Sequence, residues 1–170
     1  NSRPADTYEQ NAAHLQRRGI HIVIDATKNL LMNVLRYKPF LIKPNNHELA
    51  EMFNVELTGN PMIAEYAKRL QDLGARNVII SMAGDGAIFV PENGEAVFLP
   101  APKGQVVNSV GAGDSMVAGF TAGSAQGLAP EEAFKLGVAT GSASAFSELL
   151  AEKKDVEKLL STLPAPSPVE

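Results

Sequence analysis

The chain has no cysteine, which excludes a disulfide framework, a thiolate metal site and a catalytic thiol, and suits a reducing cytosol. It has no basic run longer than Lys153-Lys154, and its 15 Lys and Arg against 19 Asp and Glu leave a formal net charge of −4. A nucleic-acid or anionic-membrane surface needs the opposite sign, so neither is expected as a partner. No signal peptide and no membrane-spanning apolar run is read in these residues, and the expected compartment is the cytoplasm. The chain starts Asn1-Ser2-Arg3-Pro4 without an initiator Met, so part of something longer is expected.

Other absences narrow the chemistry. No GxxxxGK[ST] occurs, so there is no Walker A loop. Gly111-x-Gly113 is not a dinucleotide fingerprint, because Met116 stands where a third small residue belongs. His14, His21 and His47 share no metal-ligand spacing and read as structural. No Ser/His/Asp triad can be drawn.

What is present is alternation. At 170 residues, 45% hydrophobic and 20% charged, the chain suits one ordinary globular domain with a proper core. Residues 8–18 read as a helix closed by Gly19, and 20–24 as a buried strand running into Asp25, an acid candidate or a plain strand-end residue. A helical piece at 28–37 leads to an apolar burst at 40–42 and a short helix at 45–53. Asn60 and Pro61 then cap and open an amphipathic helix with the stripe Ile63, Tyr66, Ala67, Leu70 and Leu73. A third buried strand at 78–80 precedes a hairpin, 87–90 with 96–99, around Glu92-Asn93-Gly94. Two small-residue helices follow at 112–126 and 130–147. In the first, Ala118, Gly119, Ala122 and Gly123 read as permitting close packing on the sheet. A terminal helix near 155–160 and a frayed, Pro-rich tail at 164–170 complete the chain. The pattern predicts an α/β fold over residues 1–163, a mainly parallel sheet flanked by helices on both faces. Ligands of such sheets bind at the carboxyl ends of strands. Asp25 and the polar segments 43–48, 81–86 and 108–114 all read as following a strand.

The most informative of these is Asn108-Ser109-Val110-Gly111-Ala112-Gly113-Asp114. A small-residue turn opening a helix lets unpaired amides approach an anion, and a carboxylate beside them can take a proton. Phosphoryl transfer to a hydroxyl needs both. The plain alternative is a helix start whose acidic residue answers the helix dipole. Lys43-Pro44-Asn45-Asn46-His47-Glu48 offers a lysine for phosphate, with Asn45 and Glu48 able to hold water around Mg²⁺. The same pair has capping-box spacing, and the two readings can coexist. Ser81-Met82-Ala83-Gly84-Asp85-Gly86 either presents amides and a hydroxyl to a nucleotide or makes a tight turn between strands.

Together these residues resemble the PfkB (ribokinase-like) carbohydrate kinases, in particular the phosphosugar branch of 1-phosphofructokinase and tagatose-6-phosphate kinase. The resemblance rests on Asn108 through Asp114 continuing into Ser115-Met116-Val117-Ala118-Gly119-Phe120, on Leu41-Ile42-Lys43-Pro44-Asn45 with His47-Glu48-Leu49, and on Ser81-Met82-Ala83-Gly84-Asp85-Gly86-Ala87. It implies that Asp114 is the catalytic base and that Gly111, Ala112 and Gly113 form the anion hole, with Asn108 opening the motif at the nucleotide site. It implies that Lys43 contacts nucleotide phosphate and that Asn45 and Glu48 order Mg²⁺ and phosphates, Glu48 through water. Residues 81–86 become the nucleotide loop, with Ala83 where the family pattern has its first glycine. The implied activity is phosphoryl transfer from ATP to fructose 1-phosphate. The resemblance reaches only the C-terminal half of the family fold. The N-terminal half of the same enzyme, with most sugar contacts, is therefore an expected partner, and a homodimer the candidate assembly.

Overall fold

The computed structural model describes residues 23–24, 28–148 and 151–170. The helix expected at 8–18, together with Gly19, Asp25, His14 and His21, lies outside the described residues. The chain divides into two compact units, residues 1–80 with 90–95 and 170, and residues 81–89 with 96–169.

The first unit is the parallel part of an α/β fold. Its elements are β1 (Val23–Ile24), α1 (Lys28–Val34) with a 3-10 turn at Leu35–Tyr37, β2 (Leu41–Ile42), α2 (Asn46–Phe53), α3 (Gly59–Asp72) and β3 (Asn77–Ser81). β1 pairs parallel with β2 (Val23↔Leu41), and β2 parallel with β3 (Leu41↔Asn77). Parallel strands linked by helices bury both faces, and Leu41, Ile42, Val78, Ile79 and Ile80 are fully buried. The α3 stripe buries Ile63, Tyr66, Ala67 and Leu70 as expected, but Leu73 is 46% exposed because it lies at the C-cap, past the last helical turn. The cap assigned to Asn60 is also corrected. Gly59, at φ +73°, turns the chain earlier, and Thr58 is the N-cap. Buried Asn77 is paired at both ends of its amide: its Nδ2 donates to the Phe40 carbonyl (2.9 Å) and its Oδ1 accepts from the Glu92 N–H (3.0 Å). Arg76 holds Glu92 through two parallel 2.8 Å bonds, which keep its guanidinium pKa above the ordinary value.

The second unit is antiparallel, so the strands are mixed rather than mainly parallel. β4 (Ala87–Val90) and β5 (Val97–Leu99) form the expected hairpin, with Ile88 opposite Phe98. The tail is not frayed: Ser167–Pro168 form β6, antiparallel to β5 with Ser167 opposite Phe98, and the Val169 N–H donates to the Ala96 carbonyl at 3.0 Å. Proline is tolerated there because an outer strand can leave one ladder position empty. The helices are α4 (Ala112–Ala125), α5 (Pro130–Ala145) and α6 (Lys153–Thr162). Phe89 of β4 stacks on Phe134 of α5 at 5.2 Å and meets Phe120 of α4 edge-on at 5.3 Å. Gly119 and Gly123 of α4 face α5. A Cβ on Gly119 would lie 2.5 Å from Thr140 Oγ1, and one on Gly123 would lie 3.1 Å from Ala133 Cα.

Candidate active site

Residues 108–114 do not directly follow a strand. β5 ends at Leu99, and Pro100 and Pro102, which lack the N–H a ladder needs, lead into a stretch without regular structure. The segment is instead fastened to the end of α5. The N–H groups of Val107 and Asn108 both donate to the Ala145 carbonyl, at 2.9 and 3.1 Å. This satisfies an orphan carbonyl of the last helical turn. Asn108 Oδ1 then accepts from the Val110 N–H (3.0 Å), and the Ala112 N–H donates to the Ser109 carbonyl (3.2 Å). The result is an Asx turn followed by a tight turn, delivering the chain into α4.

Gly111 is the N-cap of α4, in the left-handed region at φ +78°. Glycine enters that region freely, whereas other residues meet about 1–2 kcal/mol of strain. A Cβ there would meet nothing within 4 Å, so the space over the turn is open. No side chain caps the helix. Among the described residues the amides of Gly113 and Asp114 have no acceptor, while the Ser115 N–H is already bonded to the Gly111 carbonyl at 2.9 Å. These amides sit at the end of the helix that carries roughly half a positive charge. Asp114, the third residue of α4, is exposed beside them. The arrangement can accept a phosphate oxygen at the amides and a proton at the carboxylate.

Residues 81–86 form a hydrogen-bonded turn between β3 and β4. Ser81 is half-buried. Met82 is buried. Ala83, Gly84 and Asp85 make an exposed 3-10 turn. The turn is closed by the Met82 N–H donating to the Gly86 carbonyl (2.9 Å) and the Asp85 N–H to the Met82 carbonyl (3.0 Å). Ala83 is held at φ +49°, a conformation suited to the glycine of the family pattern. Gly86, at φ +112°, cannot be replaced without conflict, because a Cβ would lie 2.2 Å from the Leu99 carbonyl oxygen.

In the first unit, Lys43 is buried, with 7% exposure. Asn45 and Glu48 form a complete capping box on α2: the Glu48 N–H donates to Asn45 Oδ1 and the Asn45 N–H to Glu48 Oε2, each at 2.8 Å. A carboxylate has about four acceptor positions, so this bond leaves Glu48 able to orient water. His47 is exposed on α2. No group of three His, Asp or Glu fit to hold a metal occurs among the described residues. Lys43, Asn45 and Glu48 thus belong to the first unit, and residues 81–86 and 108–114 to the second.

Residues 2–155 match the pfkB family carbohydrate kinases. The chain belongs to that family. It is 48% identical over 159 residues to a 1-phosphofructokinase of Bacillus subtilis, covering 94% of this chain and 52% of the relative. It is 35% identical over 157 residues to a D-tagatose-1-phosphate kinase of Bacillus licheniformis, covering 92% of this chain and 50% of that protein. Among solved structures, a candidate phosphofructokinase of Staphylococcus aureus superimposes with a TM-score of 0.93 at 42% identity, over 100% of this chain and 56% of that one. The chain therefore spans about half the length of the curated relatives it matches. Among the described residues no helix is long and apolar enough to cross a membrane.

Proposed function

We propose that this chain is the nucleotide-binding and catalytic part of an ATP-dependent sugar-phosphate kinase that converts fructose 1-phosphate to fructose 1,6-bisphosphate. The observation that carries this reading is the uncapped start of α4. Two amides without an acceptor among the described residues, a left-handed Gly111 with open space above it and the exposed Asp114 carboxylate occur within four residues. Family membership and the 48% identity to a 1-phosphofructokinase support the substrate.

In this mechanism Asp114 accepts the proton of the free primary hydroxyl as that oxygen attacks the γ-phosphorus of ATP and the bond to ADP breaks. The amides at Gly113 and Asp114 receive charge building on the transferring group, in a geometry set before reaction. Lys43 neutralises nucleotide phosphate, and the 81–86 turn presents backbone groups to the nucleotide. Asn45 and Glu48 would hold water around Mg²⁺, which when bound supplies charge neutralisation on the phosphates. The rest of the enzyme supplies the sugar site, and a homodimer is the candidate assembly.

Asp114→Asn in the full-length polypeptide is expected to lower kcat by at least ~10²-fold while leaving nucleotide affinity nearly unchanged. Steady-state kinetics with calorimetric titration of Mg-ATP read both, and an unaltered kcat contradicts the assignment. The D-tagatose-1-phosphate kinase relative favours a second reading in which a tagatose phosphate is the acceptor. A panel of fructose 1-phosphate, tagatose 1-phosphate and tagatose 6-phosphate ranked by kcat/KM separates the two. A non-catalytic nucleotide-binding module has no use for a carboxylate at this position, and turnover of any member of the panel excludes it.

A further inference from the structure

Helix α5 touches the candidate catalytic turn at two points. Its last residue, Ala145, accepts the N–H groups of Val107 and Asn108 at 2.9 and 3.1 Å, fixing the chain as it approaches the turn. One turn earlier in α5, Gly141 lies so close to the first turn of α4 that a Cβ would stand 2.9 Å from the Ala112 carbonyl oxygen and 3.1 Å from Met116 Cβ. Gly137 repeats the approach deeper in the helix, where a Cβ would be 2.9 Å from the Met116 carbonyl oxygen. Ala112 immediately precedes the two acceptor-free amides. The separation between α5 and that carbonyl therefore sets where the amides and Asp114 point.

We propose that Gly141 is a positioning residue for phosphoryl transfer: the missing side chain seats the start of α4 on α5 and so aims the Gly113 and Asp114 amides. The proposal rests on the kinase reading above. Added at Gly141, a methyl group meets backbone, which cannot swing aside as a side-chain tip can, so the first turn of α4 moves by tenths of an ångström. A misplacement of 1 Å costs about 10²-fold in rate, and a fraction of that about tenfold.

The test compares three variants of the full-length enzyme. Gly141→Ala is expected to lower kcat about tenfold with KM for the sugar phosphate unchanged. Gly123→Ala presses on Ala133 at the far end of the same helix pair, where a Cβ would sit at 3.1 Å; it is expected to lower Tm but keep kcat. Gly137→Ala should fall between them, and carries the test if Gly141→Ala does not fold. Equal kcat in all folded variants, or equal losses in Gly141→Ala and Gly123→Ala, overturns the proposal. Wild-type enzyme inactive on every sugar phosphate overturns the kinase reading instead, so the two failures are distinguishable.

Discussion

Two helix N-termini in this chain answer the same physical problem in opposite ways. Every α-helix begins with N–H groups that have no partner inside the helix. At α2 the chain supplies partners from its own side chains, Asn45 and Glu48, in reciprocal 2.8 Å bonds. At α4 it supplies none, and the N-cap is a glycine in a left-handed conformation. A side-chain cap exceeds an alanine by about 1 kcal/mol but a glycine by only about a few tenths, so with Gly111 as N-cap α4 gives up little stability by lacking one. The difference teaches that a family motif can sit on a helix start in two roles. One start is a finished structural joint that leaves a carboxylate oriented. The other has no side-chain cap, and in the kinase reading proposed above its amides receive an anion from outside.

This contrast can be broken, starting with the largest expected effect. Gly111→Asp places a carboxylate over the open amides, in a backbone conformation that disfavours it. ATP affinity, measured by calorimetry, should fall at least ~10-fold, since like charges near a protein surface repel by several kcal/mol at contact. Unchanged affinity would mean that the amides do not face phosphate.

Glu48→Gln separates the two roles of the α2 start. A Gln at this position still completes the capping box, so unfolding free energy should shift by no more than ~0.5 kcal/mol. The Mg²⁺ concentration giving half-maximal rate should rise about 10-fold, as for loss of an outer-shell partner. Asn45→Ala makes the complementary change, with an expected loss of about 1 kcal/mol by denaturant titration. Were Glu48→Gln silent in Mg²⁺ dependence, the α2 start would be only a joint.

The smallest effect expected is at Ala83. Ala83→Gly relieves a left-handed conformation at φ +49° and should stabilise the folded state by up to ~1 kcal/mol, less the extra chain entropy a glycine brings to the unfolded state. Destabilisation would show that the alanine methyl makes a packing contribution outweighing the strain.

Much of this was legible in the residues, because short-range physics decides it. The buried strands at 41–42 and 78–80, the hairpin pairing Ile88 with Phe98 and the capping box at Asn45 follow from apolar runs, turn residues and i,i+3 spacing. What escaped was decided by partners distant in sequence. The tail at 167–168 carries no strand signal of its own and becomes β6 only because β5 offers it a ladder. Gly119 and Gly123 announce close packing, but nothing in their spacing says whether sheet or helix is the neighbour, and α5 is. The Ala145 carbonyl that anchors Asn108 is invisible to any motif, because every residue has a carbonyl and only its place at a helix end frees it. The G-x-x-x-G spacing of Gly137 and Gly141 was the one available sign of the platform beneath the turn.

The most direct measurement is a crystal structure of the full-length polypeptide with a non-hydrolysable ATP analogue. The account predicts a terminal phosphate oxygen about 2.7–3.2 Å from the amide nitrogens of Gly113 and Asp114. A triphosphate bound elsewhere, with those amides facing only water, would contradict it.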